Sequence, residues 1–194
     1  MSHIRDVIIK QLTVHKDIPD REDDNLEPGF LMEVLRDDDD LLTRFGQTTF
    51  TVAYKDTIKA FHWHKKQDDL WFIASGKAVI VLHDLRKDSD TFGVTQVIPA
   101  GADDYKLILI PIGVAHGYKV VSEEPVLLFY HTTESYSLDF PDEELPKDIL
   151  VKIKKTSDEV SGEIKKTLDD QKVGERIREG FKIAIVGPIN AGKS

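Results

Sequence analysis

From residue 30 to residue 133 the chain alternates short apolar runs with clusters of turn-forming residues. FLMEVL, TTFTVAY, DLWFIAS, AVIVLHDL, TQVIPA, LILIPI, YKVV and PVLLFYHTT are rich in Val, Ile, Phe, Tyr and Thr, residues whose branched or aromatic side chains pack well on a pleated surface. Between them stand Gly76-Lys77, Asp88-Ser89, Gly101 to Asp104 and Ser122 to Pro125. Many short strands at near-even spacing, with no helical period between them, predict an all-β sandwich or barrel. After Pro146 the texture changes. Ser157-Asp158-Glu159 has the form of a helix N-cap with acid in the first turn, and Val160, Ile164 and Leu168 recur every fourth residue, which predicts a narrow amphipathic helix. One more apolar run, FKIAIV, precedes GPINAGKS at residues 187–194. The expected division is a barrel over residues 1–146 and a tail over 147–194.

Charge sharpens this division. The net charge is −9. Residues 151–194 carry ten Lys/Arg against seven Asp/Glu, which leaves 16 against 28 in residues 1–150. So acidic a barrel is a poor partner for nucleic acid, where affinity rests on neutralising phosphates. The run Asp37–Asp40 reads most simply as a solvated turn, with a calcium loop as the alternative. Cysteine is absent, which excludes disulfides and thiolate chemistry and suits a reducing compartment. No apolar run approaches the roughly 20 residues of a membrane span. The start, MSHIRDVIIKQL, lacks a basic patch before an apolar stretch, so no secretory signal is expected.

Chemistry concentrates in FHWHKKQDDLWFIASG, residues 61–76. His62 and His64 stand two apart, so on a strand both would leave the same face. Asp69 follows, and Gly76 marks a turn. Downstream, IPIGVAHGY at 110–118 supplies a Pro-x-Gly turn and a further histidine, His116. His-x-His, an acid, a turn glycine, and later Pro-x-Gly with a histidine resemble the two motifs of the cupins, with Asp in the place usually held by Glu. The implied fold is an all-β cupin jelly-roll barrel.

A closer resemblance covers residues 29–136. GFLME, FGQTTFTVAY, KAFHWH, HDLRKDSDTFG, LIPIGVAHGY and FYHTTESY resemble the family of dTDP-4-dehydrorhamnose 3,5-epimerases. It implies epimerisation beside a 4-keto group of a nucleotide sugar, without a cofactor, in a cytoplasmic homodimer that needs neither membrane nor nucleic acid. On this resemblance His62 is the catalytic base and Tyr136 the acid, while Glu33, Gln47, Lys59 and His116 contact the substrate. The chain also departs from the family pattern. Pro28 and Lys59 replace arginines, Thr49 replaces an asparagine, and Asp69 replaces a lysine near the reacting carbonyl. With His64, that last change completes a second reading, a cupin metal set of His62, His64, Asp69 and His116. Imidazoles plus one carboxylate suit a divalent first-row transition metal. A third reading is a sugar-binding barrel without catalysis.

GPINAGKS satisfies Gly-x-x-x-x-Gly-Lys-Ser after an apolar run, with Gly187, Gly192, Lys193 and Ser194 at the defining positions. The segment from Glu163 onward resembles the entry to the G domain of tRNA-modifying GTPases that act on wobble uridine. Such a loop works by presenting backbone N–H groups and a helix N-terminus to phosphates. The sequence ends at Ser194, before that helix, so the tail is expected to be a partly helical GTPase remnant that does not bind nucleotide.

Overall fold

Strand β6 (Asp69–Ser75) shows how the sequence builds the fold. Its side chains alternate between two apolar environments. Trp71 and Ile73 join the main core with Ile80, Leu82, Ile108, Ile110 and Leu128. Leu70 and Phe72 face the other way, into a second cluster with Leu12, Leu41 and Leu107. Burial on both faces explains why the run is continuously apolar rather than alternating. The same holds for β7 (Lys77–Asp84), where Ala78, Ile80 and Leu82 point to the main core and Val79 and Val81 to a third cluster.

The computed structural model describes residues 3–17 and 29–136, with the single positions Val151, Lys155 and Gly162. The P-loop and, but for those three positions, the tail helix expected from the sequence lie outside the described residues. Besides β6 and β7, the strands are β1 (Ile8–Gln11), β2 (His15–Lys16), β3 (Phe30–Leu31), β4 (Gln47–Ala53), β5 (Ile58–His62), β8 (Thr95–Gly101), β9 (Lys106–Ile110), β10 (Val114–Val120) and β11 (Val126–Thr132). A five-stranded sheet in the order β1-β9-β6-β11-β4 faces a four-stranded sheet in the order β5-β10-β7-β8, and β2 pairs with β3. Every pairing is antiparallel. The main core fills the space between the two large sheets.

FLMEVL, expected as a strand, pairs only at Phe30–Leu31. Met32, Val34 and Leu35 instead pack against the second cluster, so the segment covers the outer face of the five-stranded sheet. Asp37–Asp39 form one 3-10 turn there, with no buried residue. Asp39 pairs with Lys10 at 2.5 Å. The acidic run is a turn tied down by a lysine, and no cluster of carboxylates gathers around it among the described residues.

A buried ionic knot pins the N-terminal segment to the β7 end. The Asp84 carboxylate is fully buried and accepts from Arg86 Nε at 2.9 Å, Ser89 Oγ at 2.8 Å and Thr91 Oγ1 at 2.7 Å. Arg86 also donates to the Arg5 carbonyl at 2.6 Å and to Asp6 at 2.9 Å. The motif Asp-Leu-Arg followed by Ser-x-Thr is thus a structural clamp, with each polar residue bonded into one network.

Candidate functional site

Two of the buried polar residues, Asp69 on β6 and His116 on β10, come one from each large sheet. Asp69 opens β6 and is buried between Ile110 on β9 and Thr132 on β11. Two residues on, Trp71 leaves the same face. Across the interior, the Trp71 ring meets the His116 and Tyr118 rings edge-on, at centroid distances of 5.2 and 5.8 Å. The Trp71 indole N–H donates to Asp69 Oδ2 at 3.2 Å, and the Gln67 amide donates to Oδ1 at 2.7 Å. Two donors thus orient the carboxylate. It also faces His64 Nε2 at 3.7 Å from Oδ1 and His116 Nε2 at 3.5 Å from Oδ2. The rings of His64 and His116 lie 5.2 Å apart.

His116 has a defined tautomer. Its Nδ1 lies 3.0 Å from the carbonyl oxygen of Val114, which can only accept, so Nδ1 carries the proton. Burial pushes the imidazole below its ordinary pKa, with Asp69 pulling the other way and His64 and His62 adding to the depression. A neutral ring is favoured.

Two glycines set the positions of the histidines. Gly113 sits at φ 81° in the turn before β10 and donates its N–H to the His64 carbonyl at 2.9 Å. Gly117 lies under β5, where a Cβ would stand 2.4 Å from Ala60 Cβ. That close approach accompanies a register irregularity between His116 and Tyr118, which pairs His116 with His62 and Tyr118 with Lys59.

The expected residues separate into three places. His64, Asp69 and His116 come together, with ligating atoms all within 4.8 Å of one another. His62 lies beside His116 across the ladder but stands outside that group and is exposed. His62 and His64, expected on one face of one strand, do not share a strand. β5 ends at His62, and the chain then turns so that His64 reaches the interior from a loop.

Gln47 and Tyr136 form a second group. The Gln47 side chain accepts from the Tyr136 backbone N–H at 2.8 Å and donates to Thr49 at 3.2 Å. Lys59 is bonded to the Thr51 hydroxyl and to the Val52 carbonyl, the latter at 3.2 Å. Glu33 stands apart from both groups. It pairs with Arg36 at 3.2 Å beside an open hollow lined also by Lys10, Gln11 and His15. Its neighbours Met32 and Val34 pack on the outer face of the sheet whose inner face carries Asp69 and Trp71.

Sequence reasoning did not single out three residues that shape the site. Gln67 and Trp71 orient Asp69, and Tyr118 buries its hydroxyl near Trp71 and Thr51. Burial raises the Tyr118 pKa, and nearby Thr51 opposes the shift. The signal for Trp71 was its spacing of two from Asp69 on a strand. Gln67 precedes the strand and gave none.

Two facing antiparallel sheets enclosing inward His and Asp side chains define a cupin. The chain belongs to the dTDP-4-dehydrorhamnose 3,5-epimerase family, whose model matches residues 3–172 and whose enzymes are isomerases. It is 50% identical over 137 residues to the spore coat polysaccharide biosynthesis protein SpsL of Bacillus subtilis, covering 71% of this chain and 85% of that protein. The solved dTDP-4-dehydrorhamnose 3,5-epimerase of Bacillus anthracis, with TDP and pyrophosphate bound, superposes with a TM-score of 0.62. It is 26% identical and aligns 75% of this chain with 81% of its own. A separate similarity concerns the C-terminal segment. Over 57 residues, 29% of the chain, it is 77% identical to the tRNA modification GTPase MnmE of Pelagibacter ubique, of which it spans 13%.

Proposed function

We propose that this chain epimerises a dTDP-4-keto sugar at the carbons flanking the ketone, with His62 as base and Tyr136 as acid. The observation that carries the reading is the family match across the whole described barrel, with His62 exposed at the end of β5 beside buried His116. In the first step His62 takes the proton from C3 or C5. The C–H electron pair forms the new C=C bond, and the carbonyl pair moves onto the C4 oxygen as an enolate. In the second step the Tyr136 hydroxyl delivers a proton to the opposite face of that carbon, and C4=O re-forms. Proton exchange with water then resets His62 and Tyr136. Both half-reactions are general acid–base steps, each typically contributing about 10²–10⁴-fold to rate.

The surrounding residues take supporting roles in this reading. Gln47 fixes the backbone of Tyr136. Lys59, held by Thr51 and Val52, offers a point charge to a phosphate. His116 closes the inner wall. Glu33 takes the substrate contact that the family resemblance implies, from the hollow it lines beside Arg36. The assembly is a homodimer in the cytoplasm, and exposed Phe50, stacked on Phe129 at 4.7 Å along edge strand β4, gives it an apolar face.

Incubation with dTDP-4-keto-6-deoxyglucose in deuterated water tests the proposal. Deuterium should enter at C3, at C5 or at both, as read by NMR. Binding without exchange would leave a sugar-binding barrel and sink the epimerase reading.

A further inference from the structure

Three candidate ligating atoms, one each from His64, Asp69 and His116, lie within 4.8 Å of one another between the sheets. The Nδ1 proton of His116 is committed to the Val114 carbonyl, so in the neutral ring Nε2 carries a lone pair. That lone pair faces Asp69 Oδ2 at 3.5 Å, and His64 Nε2 stands 3.7 Å from Oδ1. Neither separation is a good hydrogen bond. The Asp69 oxygens already accept from Gln67 and Trp71. His116 is likewise anchored through its other nitrogen. Asp69 and His116 are thus oriented by outer hydrogen bonds, and second partners of this kind are what orient the ligands of a metal site.

We propose that His64, Asp69 and His116 bind one divalent first-row transition ion. Imidazole nitrogens and carboxylate oxygens sit about 2.0–2.2 Å from such an ion, which places them about 3–4 Å from one another. The separations found, with all three ligating atoms within 4.8 Å, need only small side-chain adjustments to match. Two imidazoles and one carboxylate suit Zn(II), Mn(II) or Fe(II). Three protein ligands leave coordination positions for water or substrate, so a bound ion supplies a Lewis acid able to polarise a carbonyl oxygen. On the epimerase reading, on which this last step rests, the ion reverses the sign of a site where a bare Asp69 carboxylate opposes enolate charge. The binding site itself stands without that reading.

The test uses the full chain, prepared without a histidine tag, stripped with a chelator and titrated with Co(II). Uptake is read by elemental analysis and by the visible d–d absorption of the bound ion. One cobalt per chain is expected, displaced by Zn(II). His64→Gln and Asp69→Asn should each weaken cobalt binding by about 100-fold or more, and Gln67→Leu, which removes only an outer hydrogen bond, by about 10-fold. His64 reaches the site from a loop, so its variant keeps the core intact, and circular dichroism checks each fold. Sub-stoichiometric uptake by the wild-type chain, or a folded His64→Gln variant that binds cobalt as tightly, overturns the proposal. The readout is binding, so a failure here leaves the sugar-exchange result untouched, and the reverse also holds.

Discussion

The backbone N–H of Gly113 donates to the carbonyl oxygen of His64 at 2.9 Å, fastening the loop that carries one pocket histidine to the turn that launches the other. The bond requires Gly113 at φ 81°, and an added Cβ would meet Arg86 Cγ at 2.6 Å. Arg86 cannot yield freely, because both ends of its guanidinium are bonded.

Gly113→Ala should therefore destabilise the fold by about 1–3 kcal/mol, the usual cost of a strained left-handed residue. Because the shifted turn carries His64 with it, cobalt affinity should fall even where the variant remains folded. Denaturant unfolding and the cobalt titration measure the two effects. A variant equal to wild type in both would show that the turn does not position His64.

The Asp84 knot predicts an acid sensitivity. Burial, the largest influence, pushes this carboxyl up, but the bonds from Arg86, Thr91 and Ser89 together outweigh it and hold the pKa well below the ordinary value. Such a group stabilises the fold above its unfolded pKa of about 4, and the contribution fades as pH falls toward the depressed folded value. The melting temperature of the wild type should drop between about pH 4 and pH 2, and Asp84→Asn should show a lower but flatter profile. At neutral pH, Arg86→Leu leaves a buried charge unpaired and should cost about 3–5 kcal/mol, or about 10 °C in a chain of this size. Parallel wild-type and Asp84→Asn slopes below pH 4 would remove Asp84 from the acid response.

How far the sequence reveals this architecture depends on what each residue packs against. DLWFIAS and β6 coincide residue for residue, and AVIVLHDL lies one residue from β7, because strands buried on both faces leave unbroken apolar runs. FLMEVL misleads, since its apolar residues cover the outer face of a sheet by packing rather than by ladder pairing. β1 (Ile8–Gln11) was not anticipated. It is a short edge strand whose partner, β9, lies about 100 residues away, a pairing that no local pattern encodes. His64, Asp69 and His116 were legible, together with His62, from their resemblance to the two cupin motifs. The divergence of His62 from His64 was not, because it depends on the chain leaving β5 toward Gly113.

The proposed acid can be separated from the proposed base. If Tyr136 only delivers a proton on the opposite face, Tyr136→Phe should leave His62 free to remove and return the proton on one face. Deuterium exchange into substrate should then persist, while conversion to the epimer falls by about 100-fold or more. NMR of one reaction reports both quantities. Equal loss of exchange and of inversion would make Tyr136 a binding or positioning residue instead.

His62→Asn is the sharpest variant for the chemistry. His62 is exposed at the end of β5 and outside the group formed by His64, Asp69 and His116. Asparagine should therefore leave both the melting temperature and the cobalt stoichiometry near wild type. Without an imidazole to take the proton, exchange at C3 and C5 should fall by about 10²–10⁴-fold. The combination matters more than either half, since a variant that loses exchange but keeps its fold and its cobalt assigns the proton abstraction to His62. Retained exchange would move the base elsewhere in the pocket. Loss of cobalt along with exchange would instead make His62 a fourth ligand, and the three-residue site would have to be redrawn.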